Sequence, residues 1–297
     1  MFDLYLLRYF LAVVESGSFT RAAERVFVTQ PTLSAGIKKL EAQVGQPLFE
    51  RSSRRVFLTD AGTRFLPRAK AILHECNMAM QAVDDAPVRP VLRIGLLVTL
   101  PNRVMGRLLG AFHDANPSVT LEITDGTEQE LLNRLDDRSL DYAISIDRGE
   151  GTYPALLLKE EAYVFIVARD HGLSGRRHIS AADLREERMI VRSRCEVLSE
   201  TSRYFTDHNV RPRLVYRTGN EGRALAMVAA GVGATVVPEG LVDDRVSSMT
   251  LTGFPYRRRL ALLRPRYALS PGLEAVARCF EDSVKTHLGE GHGTAVP

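Results

Sequence analysis

The chain has 297 residues, 45% of them hydrophobic and 25% charged, with 39 Lys and Arg against 36 Asp and Glu for a net charge of +3. That length suits two or three domains, and that composition excludes a disordered or fibrous chain. Three scattered cysteines, Cys76, Cys195 and Cys279, have neither disulfide nor metal spacing, which excludes a disulfide-framed domain and points to a reducing compartment.

In chain order, Leu4, Leu7, Leu11 and Val14, with Phe10 adjoining, form one helical stripe. Asp3 and Arg8 interrupt the apolar start, and no cleavage site follows, so this is a first helix and not a signal peptide. Ser18 is a good N-cap for a helix carrying Phe19, Ala22, Ala23 and Val26. After a tight segment, Thr29 caps a second helix with Pro31 in its first turn. There Leu33, Ile37, Leu40 and Val44 face a core. Gln30, Ser34 and Lys38 follow one another at i, i+4 and i+8 on the opposite face, flanked by Thr32, Ala35 and Lys39.

Two helices joined by a short turn predict a helix-turn-helix whose second helix enters a DNA major groove. Gln30 suits an adenine edge, Ser34 several bases, and Thr32 or Ala35 a thymine methyl. Lys38 and Lys39 suit phosphates. Residues 48–58 read as a hairpin wing with Arg51, Arg54 and Arg55 at its tip, aimed at phosphates or a minor groove. From Ser18 to Lys70 ten bases face four acids, an excess of six, so the rest of the chain is acidic by three. Positive charge is concentrated where DNA contact is expected.

The run from Phe10, F-x-A-V-V-E-S-G-S-F-T-x-A-A, is followed by T-Q-P-T-L-S-x-x-I-K-x-L-E-x-x-V-G-x-x-L-F-x-R from Thr29 to Arg51 and L-T-x-A-G at Leu58 to Gly62. Over about sixty residues this resembles the DNA-binding domain of LysR-type transcriptional regulators in spacing as well as residue type.

Thr59 is the expected N-cap of a linker helix reaching about Asp85, roughly 40 Å long, before Pro87 and Pro90. Phe65, Ala69, Ile72, Cys76, Ala79 and Val83 form a heptad seam widened by Leu66, Leu73 and Met80. Packing on its own domain is one use for the seam. A two-fold dimer is the other, and it gives the DNA-binding unit enough bases to read. The resemblance implies dimerisation through this helix, and tetramers in many members.

From Val91 strands and helices alternate. Strands fall at 92–98, 119–123, 140–146 and 163–168, then at 189–191, 214–216 and 259–263, with a turn into a buried strand over 231–238. Helices fall at 101–116, 127–136, 197–208, 220–230 and 273–286. Such alternation predicts a parallel, doubly wound sheet. The segments D-L-R-E-E-R-M-I-V, from Asp183, and V-A-A-G-V-G-A-T-V-V-P, from Val228, resemble the effector domain of the same family. That domain is similar in fold to periplasmic solute-binding proteins. The whole is therefore read as an α/β chain in three parts. Residues 1–58 are the winged helix-turn-helix and 59–86 the linker. Residues 91–297 are a two-lobed effector domain, with lobe I at about 91–162 and 267–297 and lobe II at about 163–266.

Ligands of such sheets bind at the carboxyl ends of strands. That rule selects Thr99 and Leu100, Gly126 and Thr127, Asp147, then Arg192 to Cys195, and Thr218, Gly219 and Asn220. A helix starting at Leu100 or Pro101 would aim free N–H groups into the cleft beside the Thr99 hydroxyl, an anion site. Thr99 and Thr127 also have a purely structural use as helix caps, and Thr127 with Glu130 fits a capping box. Arg192 and Arg194 either line the cleft, which favours a carboxylate effector, or are solvated. No nucleophile, metal cluster or phosphate loop points to catalysis, and no cofactor is called for.

These residues predict a cytoplasmic transcriptional regulator. Its partners are double-stranded promoter DNA, a small anionic effector and further copies of itself as dimer or tetramer, with room for RNA polymerase and none for a membrane. One alternative keeps the DNA binding and makes Cys195 a thiol redox sensor, since Arg192 and Arg194 would favour its thiolate. Another is a solute-binding α/β protein with a degenerate N-terminal domain.

Overall fold

The computed structural model describes residues 3–50, 56–81, 89–269 and 271–289. Two compact units are present, Met1–Arg89 with Asn133–Leu140, and Pro90–Leu132 with Asp141–Pro297.

In the first unit, α1 (Leu4–Ser16) ends at Gly17, whose φ of +63° is the left-handed cap that glycine adopts without strain. The Ser18 side chain accepts the Arg21 N–H and starts α2 (Phe19–Arg25). The Thr29 side chain accepts the Thr32 N–H and starts α3 (Gln30–Val44). Leu6, Leu7, Phe10 and Val13 of α1 bury against Ala22 and Ala23 of α2 and against Leu33, Ile37 and Leu40 of α3. Each fully buried large side chain contributes about 1.5–3 kcal/mol relative to an exposed one. Gly36 lets α1 and α3 close up, because a Cβ there would lie 2.6 Å from the Tyr9 ring. Strands β1 (Phe49–Glu50) and β2 (Phe57–Leu58) pair antiparallel. The Glu41 carboxylate accepts the Leu48 and Phe49 N–H groups at 2.8 and 3.3 Å, which fixes the entry to β1 on α3.

Helix α4 (Asp60–Gln81) follows. Its stripe is divided. Phe65, Leu66, Ala69, Ile72 and Leu73 pack on the core of their own unit, whereas Cys76 is half-buried, Ala79 is exposed and Met80 is 70% exposed. The first half of the expected dimer seam is thus satisfied within the chain. Val83 and the remainder of the linker to residue 86 lie outside the described residues.

The second unit begins with β3 (Val91–Leu97), α5 (Asn102–Ala115), β4 (Thr120–Gly126), α6 (Glu128–Asp136) and β5 (Tyr142–Ile146). Strand β3 pairs parallel with both β4 and β5. The long β6 (Ala155–Ala168) comes next, then β7 (His178–Ile179), β8 (Arg188–Arg192), α7 (Leu198–Asp207), β9 (Arg213–Thr218) and α8 (Glu221–Ala229). The chain continues with β10 (Thr235–Pro238), β11 (Val246–Leu251), β12 (Arg257–Leu263) and α9 (Pro271–Leu288).

The sheet runs β4-β3-β5-β12-β6-β11-β7, with β10 also on β6. It is not wholly parallel. Strand β12 is antiparallel to β5 and β6, and β10 and β11 are antiparallel to β6. Both strands that join the lobes are longer than their apolar runs. Strand β6 begins at 155 and not 163, and β12 at 257 and not 259, because the charged stretches Lys159–Glu161 and Arg257–Arg259 lie inside the ladder. Arg258 sits opposite Glu161 and Arg259 opposite Glu160. Opposite charges across the pair stand in for apolar contacts.

Candidate functional site

The exposed face of α3 is polar as its spacing predicts. Gln30, Pro31, Thr32, Ala35 and Lys38 are exposed and Ser34 is half-buried. The Gln30 amide donates to Ser34 Oγ at 2.9 Å, so the two side chains are already aligned one helical turn apart. The amide oxygen and its second N–H remain free for an adenine edge. Thr32 shares a 2.8 Å hydrogen bond with Thr29, so its hydroxyl belongs to the cap. Lys39 turns to α1, where it donates to Asp3 at 2.9 Å and Tyr5 at 3.3 Å. The Asp3 hydrogen bond, then Tyr5, hold its pKa above the ordinary lysine value. Lys39 is thus committed to its own fold. Arg51, Arg54 and Arg55 lie outside the described residues. Phe27, in the turn before α3, is 95% exposed at a φ of +56°, a feature not singled out by the sequence pattern.

At the carboxyl edge of the second unit's sheet, Thr99 is fully buried and does not start a helix. The Leu100 N–H donates to Leu97 O at 2.9 Å, Pro101 has no N–H, and α5 opens at Asn102. The helix expected to start at Leu100 or Pro101 therefore starts later, and the Leu100 N–H is not free. The Thr99 hydroxyl instead accepts from Arg258 Nη1 at 2.7 Å and donates to Glu196 Oε1 at 3.2 Å.

Arg258 is the hub of this network. Its Nε donates to Glu161 at 2.8 Å, its Nη1 to Glu196 at 2.6 Å, and its Nη2 to the Thr99 carbonyl at 3.3 Å. Tyr163 donates to the same Glu196 oxygen at 2.9 Å, and the Gly240 N–H donates to the second oxygen of Glu161 at 2.8 Å. Burial pushes the Glu196 carboxyl up, but Arg258, a backbone hydrogen bond and Arg192 outweigh it and hold the group below the ordinary value. Arg258 and Glu161 lie on the two joining strands, Thr99 follows β3 in lobe I, and Glu196 precedes α7 in lobe II. One guanidinium thus ties together both lobes and both crossings.

Thr127 keeps the capping box. Its N–H donates to Glu130 at 2.7 Å, and its hydroxyl accepts the Glu130 N–H at 3.4 Å. Arg194 reaches across from lobe II to the same Glu130 carboxylate. The Thr127 N–H first, then Arg194, hold that carboxyl below the ordinary range. Gly219 gives Arg194 its berth, since a Cβ there would lie 3.2 Å from the Arg194 side chain. Thr218 accepts the Asn220 N–H on its hydroxyl at 3.0 Å and the Ser193 N–H on its carbonyl at 2.8 Å. Gly126 is close-packed, with a Cβ excluded 2.8 Å from Leu131. Asp147 faces elsewhere, onto Arg259 at 3.1 Å and the Gly149 N–H at 2.9 Å. Thr99, Leu100, Gly126, Thr127, Arg194 and Thr218 therefore gather at one edge, and Asp147 leaves it.

Arg192 is not solvated. It is 2% exposed and donates to Glu221 at 2.5 Å, to the Val236 carbonyl at 2.6 Å and to Cys195 Sγ at 3.4 Å. Burial pushes the Cys195 thiol up to about 11 against the opposing pull of Arg192. The thiolate-favouring environment expected from the nearby arginines is overridden by desolvation. Arg258, Glu161, Glu196, Tyr163, Glu130 and Glu221 were not among the expected site residues. The signal for two of them was present, as charges embedded in otherwise apolar strands. Among the described residues no group of three or more His, Cys, Asp or Glu is placed to hold a metal ion. No helix among them is long and apolar enough to cross a membrane.

Two family models match the sequence. One, the bacterial regulatory helix-turn-helix protein of the lysR family, covers residues 4–63, and the other, the LysR substrate binding domain, covers residues 85–285. A probable hydrogen peroxide-inducible genes activator of Mycobacterium avium is 31% identical over 250 residues, covering 82% of this chain and 80% of its own. An uncharacterised HTH-type transcriptional regulator of Bacillus subtilis strain 168, YybE, is 29% identical over 294 residues, covering 96% and 98%. Among solved structures, CbnR, a LysR family transcriptional regulator, superposes with a TM-score of 0.64 at 22% identity, covering 97% of this chain and 100% of that one. A full-length OxyR variant from Pseudomonas aeruginosa gives 0.63 at 22%, covering 100% and 99%. At that identity the structural likeness is one of fold.

Proposed function

Because this chain belongs to the LysR family of bacterial transcriptional regulators, we propose that it binds promoter DNA through α3 and alters that binding when a small anion occupies the cleft between its effector lobes. The observation that carries the DNA reading is the Gln30–Ser34–Lys38 row, with Gln30 and Lys38 exposed and Ser34 half-buried, opposite a fully packed core face. Residues 1–58 supply the DNA contacts, with Pro31 placing the helix start and the wing arginines Arg51, Arg54 and Arg55 adding phosphate contacts. Residues 59–86 link, and residues 91–297 sense. Dimerisation uses the exposed end of α4 around Ala79 and Met80, so Met80→Glu is expected to lower the sedimentation coefficient. RNA polymerase is the further partner, the compartment is the cytoplasm, and no catalytic step is involved. Fluorescence anisotropy on labelled DNA from upstream of its own gene tests the reading. Binding that ignores sequence, or shows no dependence on salt, overturns it.

The effector part rests on Arg194. In this structure its partner is Glu130, an exposed carboxylate that an incoming carboxylate replaces at little cost, because surface ion pairs are weak. The displaced contact frees lobe II from α6 and changes the placement of the lobes. A thermal-shift screen of organic acids identifies the ligand. Glu130→Gln is then expected to tighten its binding and Arg194→Gln to weaken it. An effector that proves cationic, or one indifferent to both changes, defeats the assignment.

A second reading, a peroxide-sensing Cys195, draws on relatives described as hydrogen peroxide-inducible gene activators. The raised thiol weighs against it, because the thiolate is the reactive form. A peroxide response lost in Cys195→Ser, with the organic-acid response kept, would favour it.

A further inference from the structure

The inter-lobe cleft lies at the carboxyl ends of β8 and β9, where Arg194 and Thr218 stand. The amino ends of the same two strands open onto a pocket of about 720 Å³ that the inter-lobe site does not use. At about 3.3 Å per residue, the length of β8 (Arg188–Arg192) separates the two places by roughly 13 Å. Arg185 and Arg188 at the entry to β8, and Arg211 and Arg213 at the entry to β9, line the pocket against one carboxylate, Glu186.

All four arginines are exposed, and among the described residues none of them forms an ion pair. Arg188 donates only to the uncharged Gly231 carbonyl, at 2.9 Å. Arg176 and Arg245, also exposed in lobe II, each meet an aspartate instead. Arg188 and Arg213 are register partners across the parallel β8–β9 pair, so two like charges stand side by side. Like charges so placed repel. Glu187, next in sequence to Arg188, does not offset them, because it is engaged by His171 Nε2 at 3.2 Å.

The end of α7 forms another wall and does not oppose an anion. Its last carbonyls are already taken, since the His208, Val210 and Asn209 N–H groups donate to Tyr204, Phe205 and Thr206. Asn209, at a φ of +53°, is the left-handed residue of that cap, and its side-chain amide lies on the pocket wall as an uncharged donor. The cationic groups of the lining are all arginines, whose forks take phosphate or carboxylate oxygens two at a time. A single exposed ion pair is weak, so a ligand gains here by presenting several linked charges at once. Linked phosphoryl groups bring more charge and more acceptor oxygens over the same length than carboxylates on a carbon skeleton.

We propose that this pocket is a second ligand site, for a small molecule carrying two or more linked phosphoryl groups, whether an inorganic oligophosphate or a nucleoside polyphosphate. The occupant neutralises the Arg188–Arg213 juxtaposition and draws β8 and β9 together. It thus acts on the strands that lead to Arg194 and Thr218, separately from the inter-lobe anion.

The test uses the full chain at low salt with tripolyphosphate as the probe, and orthophosphate, adenosine triphosphate and a short polyglutamate peptide as comparisons. Calorimetric titration reads affinity, and hydrogen exchange with peptide mass spectrometry reads location. Tripolyphosphate is expected to bind about tenfold more tightly than orthophosphate and to slow exchange over 186–192 and 211–216. The N-terminal unit is also basic, so substitutions separate the two places. Arg188→Gln combined with Arg213→Gln is expected to abolish the protection without lowering thermal stability, because the pair is exposed and mutually repulsive, whereas Lys38→Ala leaves the protection intact. Arg185→Gln combined with Arg211→Gln, outside the strands, is expected to weaken binding in the same way. Protection that persists in both doubly substituted chains, or none at saturating tripolyphosphate, overturns the site. Orthophosphate binding as tightly as tripolyphosphate overturns the need for a linked chain. Displacement by polyglutamate at lower concentration overturns the phosphate class and assigns the surface to an acidic protein segment. Adenosine triphosphate binding more tightly than tripolyphosphate identifies a nucleotide as the carrier of the chain, and equal or weaker binding identifies the inorganic form.

Discussion

The exposed polar face of α3 and the Arg258 network both collect polar side chains, yet they are built in opposite ways. On α3 the polar residues are exposed, come from one fifteen-residue helix, and are placed by its period and its Thr29 cap. Around Arg258 they are buried and come from four distant stretches, at 99, 161, 196 and 258. A solvated polar row needs no protein partner and leaves hydrogen-bonding capacity for whatever approaches it. A buried one must satisfy itself, so its members are fixed by each other and become structure first.

The sharpest way to break that contrast is Arg258→Met. It leaves Glu196 buried without its hydrogen-bonded counter-ion and Glu161 with only the half-exposed Lys159, at 3.2 Å, and chemical unfolding of the full chain is expected to show a loss of about 3–5 kcal/mol in the effector domain. On the DNA side the corresponding structural lesion is Gly36→Ala, whose methyl meets the Tyr9 ring. Overpacking of this kind costs about 1–3 kcal/mol, and differential scanning calorimetry should place it in the N-terminal unit alone. Gln30→Ala, by contrast, should leave thermal stability unchanged. It should cost about 1–3 kcal/mol at the preferred DNA site and relax base preference there. Lys38→Ala should weaken all sequences evenly and lower the salt slope by about one unit. The smallest effect expected concerns pH. The depressed Glu196 carboxyl contributes stability above its unfolded value near 4.5 and loses it as pH falls through the lower folded value. Glu196→Gln should therefore flatten the stability curve below pH 4.5 and leave its shape above that unchanged.

The same contrast explains what was legible in the sequence. Ser18, Thr29 and Thr127 act within three residues of themselves, and all three caps stand where their spacing puts them. The buried row of α3 follows a period, and it too is present. Lys39 shows the limit of that logic, because its partner Asp3 is 36 positions away. Arg192 shows it again. Its burial depends on Glu221 and the Val236 carbonyl, contacts that no local pattern announces. The joining strands run beyond the apolar runs 163–168 and 259–263 because Glu161 and Glu160 face Arg258 and Arg259 across the ladder, a pairing visible only once the strands are side by side. Gly36 carries no local signal either, since the Tyr9 ring that a Cβ there would meet at 2.6 Å lies 27 positions earlier in the chain.

The pairing of β6 with β12 has a mechanical consequence. Two separate tethers between the lobes would let them slide, twist and bend with similar ease. These two strands are hydrogen-bonded to each other from Arg257–Ala162 to Leu263–Ala155, so they act as one ribbon. A ribbon is stiff to shear within its plane and compliant to bending and torsion out of it. Relative movement of the lobes is thereby reduced to a flexure with few soft directions. The guanidinium of Arg258, anchored on that ribbon, is positioned to set its resting angle.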